Sequence, residues 1–132
     1  MGKTIVQSEN FDATPAELYR MFLDSKKHGA MTGGNASVSS RAGGKFKVWD
    51  GYATGKNLLL QKDRLIVQSW RTTDWKKSDP DSVLVLCFTK TAKGTRLDMT
   101  HANVPDGDAS DLDDGWREYY WKPMREYLRA SR

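Results

Sequence analysis

Toward the end of the chain, Leu112, Trp116, Tyr119, Tyr120, Met124, Tyr127 and Leu128 recur at helical spacing and fall on one stripe. A helix with large rings along one face has to lay that face on an apolar surface, and the preceding region is built to supply one. From Ala36 to His101 the residues read as an antiparallel meander, with turns at Arg41-Ala42-Gly43-Gly44, Asp50-Gly51 and Ala92-Lys93-Gly94. Phe46 and Val48 alternate with Lys45 and Lys47, and later strands come from Leu58-Leu59-Leu60, Leu65-Ile66-Val67, Val83 to Phe88, and Leu97 with Met99. That makes about six strands in this region. A curved antiparallel sheet with the terminal helix laid across its concave face buries both the stripe and the inward strand residues. Ser110 or Asp111 is placed to cap the helix, Gly115 is tolerable near its start, and Pro123 is expected to kink it by removing an internal hydrogen bond.

The first third of the chain adds a strand and short helices. Thr4 to Phe11 alternates, with Ile5 and Phe11 on one parity and Val6 on the other. Thr14-Pro15-Ala16-Glu17 combines an N-cap hydroxyl, a proline at the first helical position and a glutamate placed to complete a capping box. Leu18 and Phe22 then stack four residues apart, and Lys26 to Ala30 can form a second helical piece before the glycines at Gly29, Gly33 and Gly34. Thr72 to Asp81 is a polar loop containing Trp75. The fold class expected from this order is α+β, with short helices after the first strand and a long helix at the end.

Composition narrows the class of function. A chain of 132 residues suits one domain spanning residues 1–132, and its five Trp, five Tyr and four Phe supply the buried area of a compact fold. The 21 Lys and Arg and 17 Asp and Glu are scattered through every segment, which argues against dedicated nucleic-acid binding. No apolar run approaches the roughly 20 residues needed to span a bilayer, and Met1 to Gln7 lacks the apolar core of a signal peptide, so a cytoplasmic protein without membrane partners is expected. Asn35-Ala36-Ser37 matches a glycosylation acceptor that a cytoplasmic protein leaves unmodified.

Few residues offer chemistry. Cys87, in the apolar run Val83 to Phe88, reads as a buried strand residue. His28 sits in a loop or helix end, and His101 shares parity with Thr95, Leu97 and Met99, so that it faces inward as a hydrogen-bonded structural histidine. Asp106-Gly107-Asp108-Ala109-Ser110-Asp111 mimics the start of a calcium loop, but Asp111 stands where the turn glycine belongs and Arg117 where the closing acid belongs. Those acids read instead as loop solvation and as favourable charge at a helix N-terminus. No spacing of histidines, cysteine and acids suggests a metal, a cofactor or a catalytic set, and the chain is expected not to be an enzyme. Trp49 and Trp75 are placed near strand ends or on the outer surface, where an exposed ring can anchor a partner.

Several phrases together carry a resemblance: Phe11-Asp12-Ala13-Thr14-Pro15-Ala16-Glu17-Leu18-Tyr19, Gly43-Gly44-Lys45-Phe46, Asp50-Gly51, Ile66-Val67-Gln68-Ser69-Trp70-Arg71, Trp75, and Gly115-Trp116-Arg117-Glu118-Tyr119-Tyr120. Their order and spacing, over roughly residues 4 to 129, resemble the C-terminal domain of the activator of heat-shock-protein-90 ATPase homologue family, within the START-like (SRPBCC, Bet-v-allergen-like) superfamily. The resemblance implies a helix-grip fold, a curved antiparallel sheet wrapped around a long C-terminal helix. It implies a binding module with a heat-shock-protein-90-type chaperone as partner, and the wider superfamily implies a small apolar ligand held between sheet and helix. The candidate cavity is lined by Trp70, Met99, His101, Trp116, Tyr119, Tyr120 and Met124. Full-length eukaryotic activators also carry an N-terminal domain that grips the chaperone, and nothing precedes residue 1 here, so weak binding and poor stimulation are expected.

Overall fold

The local signals at the first helix act as their chemistry dictates. In the computed structural model, which describes residues 2–132, the Oγ1 of Thr14 accepts the Glu17 N–H at 3.1 Å and Pro15 occupies the first turn of α1 (Pro15–Leu23). The Glu17 carboxylate does not return to the cap; it is held by the guanidinium of Arg132 at 3.1 Å, which ties the end of the chain to the start of this helix. Asp24 ends α1 and caps α2 (Ser25–Thr32) by accepting the Lys27 N–H, and Gly33, at φ 86°, closes α2 in the left-handed conformation.

Strand β1 (Lys3–Phe11) precedes these helices, and β2 (Ser37–Val38), β3 (Lys45–Val48), β4 (Ala53–Gln61), β5 (Leu65–Thr72), β6 (Ser82–Thr91) and β7 (Gly94–Val104) follow them. They form one curved seven-stranded antiparallel sheet in the order β1-β7-β6-β5-β4-β3-β2. The meander thus has the six strands its alternation predicts, and β1 returns to pair with the last of them. Parity decides the two faces: Ile5 and Phe11 point into the concavity while Val6 is exposed, and Leu84, Leu86 and Phe88 point inward. Cys87 therefore lies half-buried on the convex face with Val83 and Val85, and not in the core as its apolar neighbours suggested.

The C-terminal helix fills the concavity in four successive stretches. Asp106–Asp108 makes a 3-10 turn, α3 runs Ala109–Trp116, residues Arg117–Trp121 form a π turn, and α4 runs Lys122–Ala130. The helix starts before Ser110 and Asp111, so neither caps it; Asp108 occupies the cap position but makes no capping hydrogen bond. The discontinuity expected of Pro123 is displaced upstream. Proline has no N–H to give the Tyr119 carbonyl and its ring crowds that group, and the wider turn, closed by Lys122 N–H on the Arg117 carbonyl, accommodates both.

The π turn also corrects the predicted stripe. Its extra residue brings Trp121 inward beside Trp116, Tyr120, Met124 and Leu128, and leaves Tyr119 61% exposed. Trp121 donates its indole N–H to Gln7 Oε1 at 2.6 Å, and the Gln7 amide donates to the Asp113 carbonyl and carboxylate at 2.7 Å, so one buried amide on β1 fixes two points of the helix. Arg125 reaches Glu9 at 2.7 Å and lies 4.7 Å over the Phe11 ring, a second clamp between helix and β1. No helix among the described residues is long and apolar enough to cross a membrane.

Candidate functional site

Large rings meet where the β3–β4 turn, the β5–β6 loop and the start of the C-terminal helix converge. Trp70 on β5 faces inward, and Trp75, expected near the surface of a polar loop, folds back to pack its ring 5.9 Å from Trp70, leaving it 8% exposed. A single large side chain gains enough from burial to drag its polar neighbours along, which loop composition does not reveal. Trp116 packs on Trp70, Tyr120 and Trp121 at centroid distances of 6.0, 4.7 and 5.5 Å.

Hydrogen bonds set the angles of these rings. The indole N–H of Trp116 can only donate, and its partner is Nδ1 of the fully buried His101 at 3.1 Å. The proton of a neutral imidazole must then sit on Nε2, which donates to Ser82 Oγ at 2.7 Å, and the Ser82 hydroxyl donates to the Trp70 carbonyl at 2.6 Å. Burial pushes the His101 pKa down to about 4, because the charged imidazolium would be cut off from water. Although Ser82 and His101 resemble half of a hydrolytic triad, the serine is an acceptor from the imidazole and has no base to activate it.

His28 performs the matching role on the other side. Its Nδ1–H donates to the Phe22 carbonyl at 3.1 Å, so Nε2 accepts the Tyr120 hydroxyl at 3.0 Å. Burial lowers the His28 pKa and raises that of Tyr120, with the Trp49 indole partly offsetting the latter. Tyr120 also stacks on Phe22 at 6.0 Å and 14°. Both rings at the base of the site are therefore locked at their polar tips as well as their faces.

Above this base the rings stop packing and a cleft of about 450 Å³ opens. Trp70, Trp75, Trp116 and Tyr120 form its floor and back; Trp49, Tyr52, Leu112 and Tyr119 form its sides. Trp49 stands edge-on to Tyr119 and Tyr120, at 5.8 and 6.0 Å. It is held there by an unusual backbone: Trp49, Asp50 and Gly51 have φ of 53°, 58° and 95°, three successive left-handed residues that only the glycine adopts without strain. The turn is pinned to Asn35, whose N–H donates to the Asp50 carboxylate and whose carbonyl accepts the Asp50 N–H, each at 3.1 Å. Gly34 makes this approach possible, since a Cβ there would lie 2.9 Å from Trp49 Cε3. Asp74, Asp108 and Asp111 complete the rim.

Of the seven residues expected to line a cavity, Trp70, Trp116, Tyr119 and Tyr120 border this cleft. Met99, His101 and Met124 lie beneath it in packed core, each no more than 1% exposed. Deeper between helix and sheet, among Phe22, His28, Leu84, Trp116 and Tyr120, the free space is about 10 Å³, room for no more than about one water. Sequence reasoning missed Trp75 as floor, Trp49, Tyr52 and Leu112 as walls, and Asp74, Asp108 and Asp111 as rim. The alternation of β3 stops at Val48, so it gave no direction for rings in a left-handed turn. Among the described residues no three His, Cys, Asp or Glu side chains converge as metal ligands.

Similarity to known proteins accords with this architecture. Human "Activator of 90 kDa heat shock protein ATPase homolog 1" is 28% identical over 122 residues, which are 92% of this chain and 36% of that protein. The Dictyostelium discoideum homologue is 26% identical over 115 residues, 87% of this chain and 30% of its own. The chain thus spans about a third of the length of these curated relatives. The crystal structure of an HSP90 activator from Plasmodium falciparum superposes with a TM-score of 0.88 at 26% identity, covering 96% of each chain. CalU16 from Micromonospora echinospora, at 22% identity and a TM-score of 0.82 over 97% of this chain and 75% of that one, shares the fold. Residues 12–129 match the family described as "Activator of Hsp90 ATPase homolog 1-like protein", and the chain belongs to that family.

Proposed function

We propose that this domain is a non-enzymatic binding module that engages a heat-shock-protein-90-type chaperone in the cytoplasm. The observation that carries the reading is the match over nearly the whole chain to a family named for activating another protein's ATPase, together with the 96% mutual coverage with an HSP90 activator. The chain spans about a third of the length of the curated relatives, and this domain assayed by itself would lack the effective concentration that two linked modules provide. Weak, saturable binding and slight stimulation are the expected behaviour. Titrating the domain into a purified chaperone of this type while following ATP hydrolysis tests it. Absence of any complex at the highest soluble concentration overturns the partnership, and strong stimulation at equimolar protein overturns its weakness.

A second reading is favoured by the cleft itself: the domain takes a small, largely apolar ligand. Its volume of about 450 Å³ is that of a small-molecule site, and its walls are almost wholly aromatic. Native mass spectrometry of freshly purified protein tests this reading through a copurified small molecule.

A further inference from the structure

The charge around the cleft runs against the charge of the molecule. Lys and Arg outnumber Asp and Glu by 21 to 17, yet no Lys or Arg lines the cleft and three carboxylates do: Asp74 from the β5–β6 loop, Asp108 at the helix start and Asp111 in its first turn. None of the three is in an ion pair among the described residues, although seven ion pairs engage other acids. Asp108 stands at the helix cap position without bonding the helix, which leaves its carboxylate available to the cleft.

The carboxylates act on a shared space. The Tyr52 hydroxyl on the cleft wall has its pKa raised, first by burial; a hydrogen bond with Thr72 opposes this, and the negative field of Asp74, a hydrogen bond to that carboxylate and the field of Asp108 add to it. Two acids from separate elements therefore act on one ring. The walls add to this bias, because the faces of Trp and Tyr are electron-rich and attract cations within about 6 Å, more strongly where water is partly excluded. A neutral apolar ligand would use the rings and leave the three carboxylates without a counter-charge. An anionic one would be repelled by them.

We propose that the cleft selects a small organic cation, an ammonium or guanidinium group attached to an apolar or aromatic body. The body lies on Trp70, Trp75 and Trp116 at the floor, and the charged head sits between Trp49, Tyr119 and the rim carboxylates. This assignment rests on the small-ligand reading of the cleft and adds the sign of charge that the ligand must carry.

A matched set of probes tests it: 2-phenylethylammonium, 2-phenylethanol and 3-phenylpropionate at neutral pH. Binding is followed by calorimetry and by the indole N–H resonances of the five tryptophans. The cation is expected to bind about tenfold tighter than the alcohol at low salt, the carboxylate not measurably, with the margin shrinking as salt is raised. The triple change Asp74→Asn, Asp108→Asn, Asp111→Asn should collapse the ratio of cation to alcohol affinity toward one. Because these acids make no structural ion pair, folding is checked by the unchanged melting profile, and single changes serve should the triple variant unfold. Equal affinity for cation and alcohol, or a ratio that survives the substitutions, overturns the charge assignment while the small-ligand reading stands. Failure of all three probes to perturb any indole signal overturns both.

Discussion

The two halves of the C-terminal helix meet the same concave sheet with opposite results. Past the π turn, Met124 and Leu128 pack flush against the core, whereas Trp116 just before it and Tyr119 and Tyr120 within it border an open cleft. Flexible aliphatic side chains adjust their rotamers until space is filled, while flat rings with polar tips go where those tips find partners. His101, Ser82 and His28 supply the partners here, and with the angles of Trp116 and Tyr120 fixed, the remaining space lies open above them. The polar network, rather than shortage of apolar residues, makes room for a site.

The largest test of this contrast is Trp116→Ala. It removes a ring packed on three others and leaves Nδ1 of His101 buried without its donor, for an expected loss of about 3 to 5 kcal/mol in urea denaturation. A loss below about 1 kcal/mol would show that the ring is held by neither packing nor hydrogen bond.

Acid should attack the same half next. The unfolded chain takes up a proton on His101 at its ordinary pKa of 6.5, whereas the folded protein resists until about 4. The neutral histidine's contribution is therefore complete above 6.5 and is lost as pH falls from there toward 4. Stability at about pH 5 should be lower than at neutral pH by on the order of 2 kcal/mol, with His28 acting in the same direction. Asp98, lowered by Ser8 and Arg96 against an opposing burial effect, gives way only below its ordinary 3.8 and does not blur that window. Denaturation midpoints that stay level between neutrality and pH 5 would contradict the buried neutral histidines.

A smaller effect separates tip from face. Tyr120→Phe keeps the ring stacked on Phe22 but leaves Nε2 of His28 without its donor, at an expected cost of about 1.5 kcal/mol. An unchanged midpoint would mean that the ring is located by its faces alone. Smallest of all, Tyr119→Ala should cost below about 1 kcal/mol, since that ring is mostly exposed and touches chiefly Trp49. The same change should weaken aromatic probes, so its effects on stability and binding should diverge. Parallel losses would place Tyr119 in the core and erase the contrast.

How much of this was legible in the sequence follows from the range of each interaction. The Thr14 cap with Pro15 behind it and the alternation of Ile5, Val6 and Phe11 are decided within a few residues, and the structure keeps them, whereas the return bond expected of Glu17 is lost to the distant Arg132. Strand number and helix-grip architecture follow from such local signals added along the chain. Val83 to Phe88 shows the limit, because a continuous apolar run does not say which parity faces inward, and Cys87 took the convex side. Of the site, the inward parity of His101 was readable, but its serine partner lies on the neighbouring strand and only register brings Ser82 to it. Trp75, Asp74 and Asp108 sit in polar loops whose composition describes solvation, so their convergence on one cleft required the tertiary fold.

The π turn at Arg117–Trp121 also sets what changes in length this helix can absorb. Deleting a single residue there would remove the one that the wide turn absorbs, so the segments on either side would stay in phase through an ordinary α turn, but the ring of Pro123 would then crowd the carbonyl one turn before it. Met124 and Leu128 would still face the core, and Arg125 would still face Glu9. A deletion within α4 itself, where no wide turn absorbs it, would instead turn everything downstream by about 100° about the axis. The five residues of the turn thus act as a slack link, the one place where the helix can take up or give up a residue while its cleft-bearing and core-packing halves stay in phase.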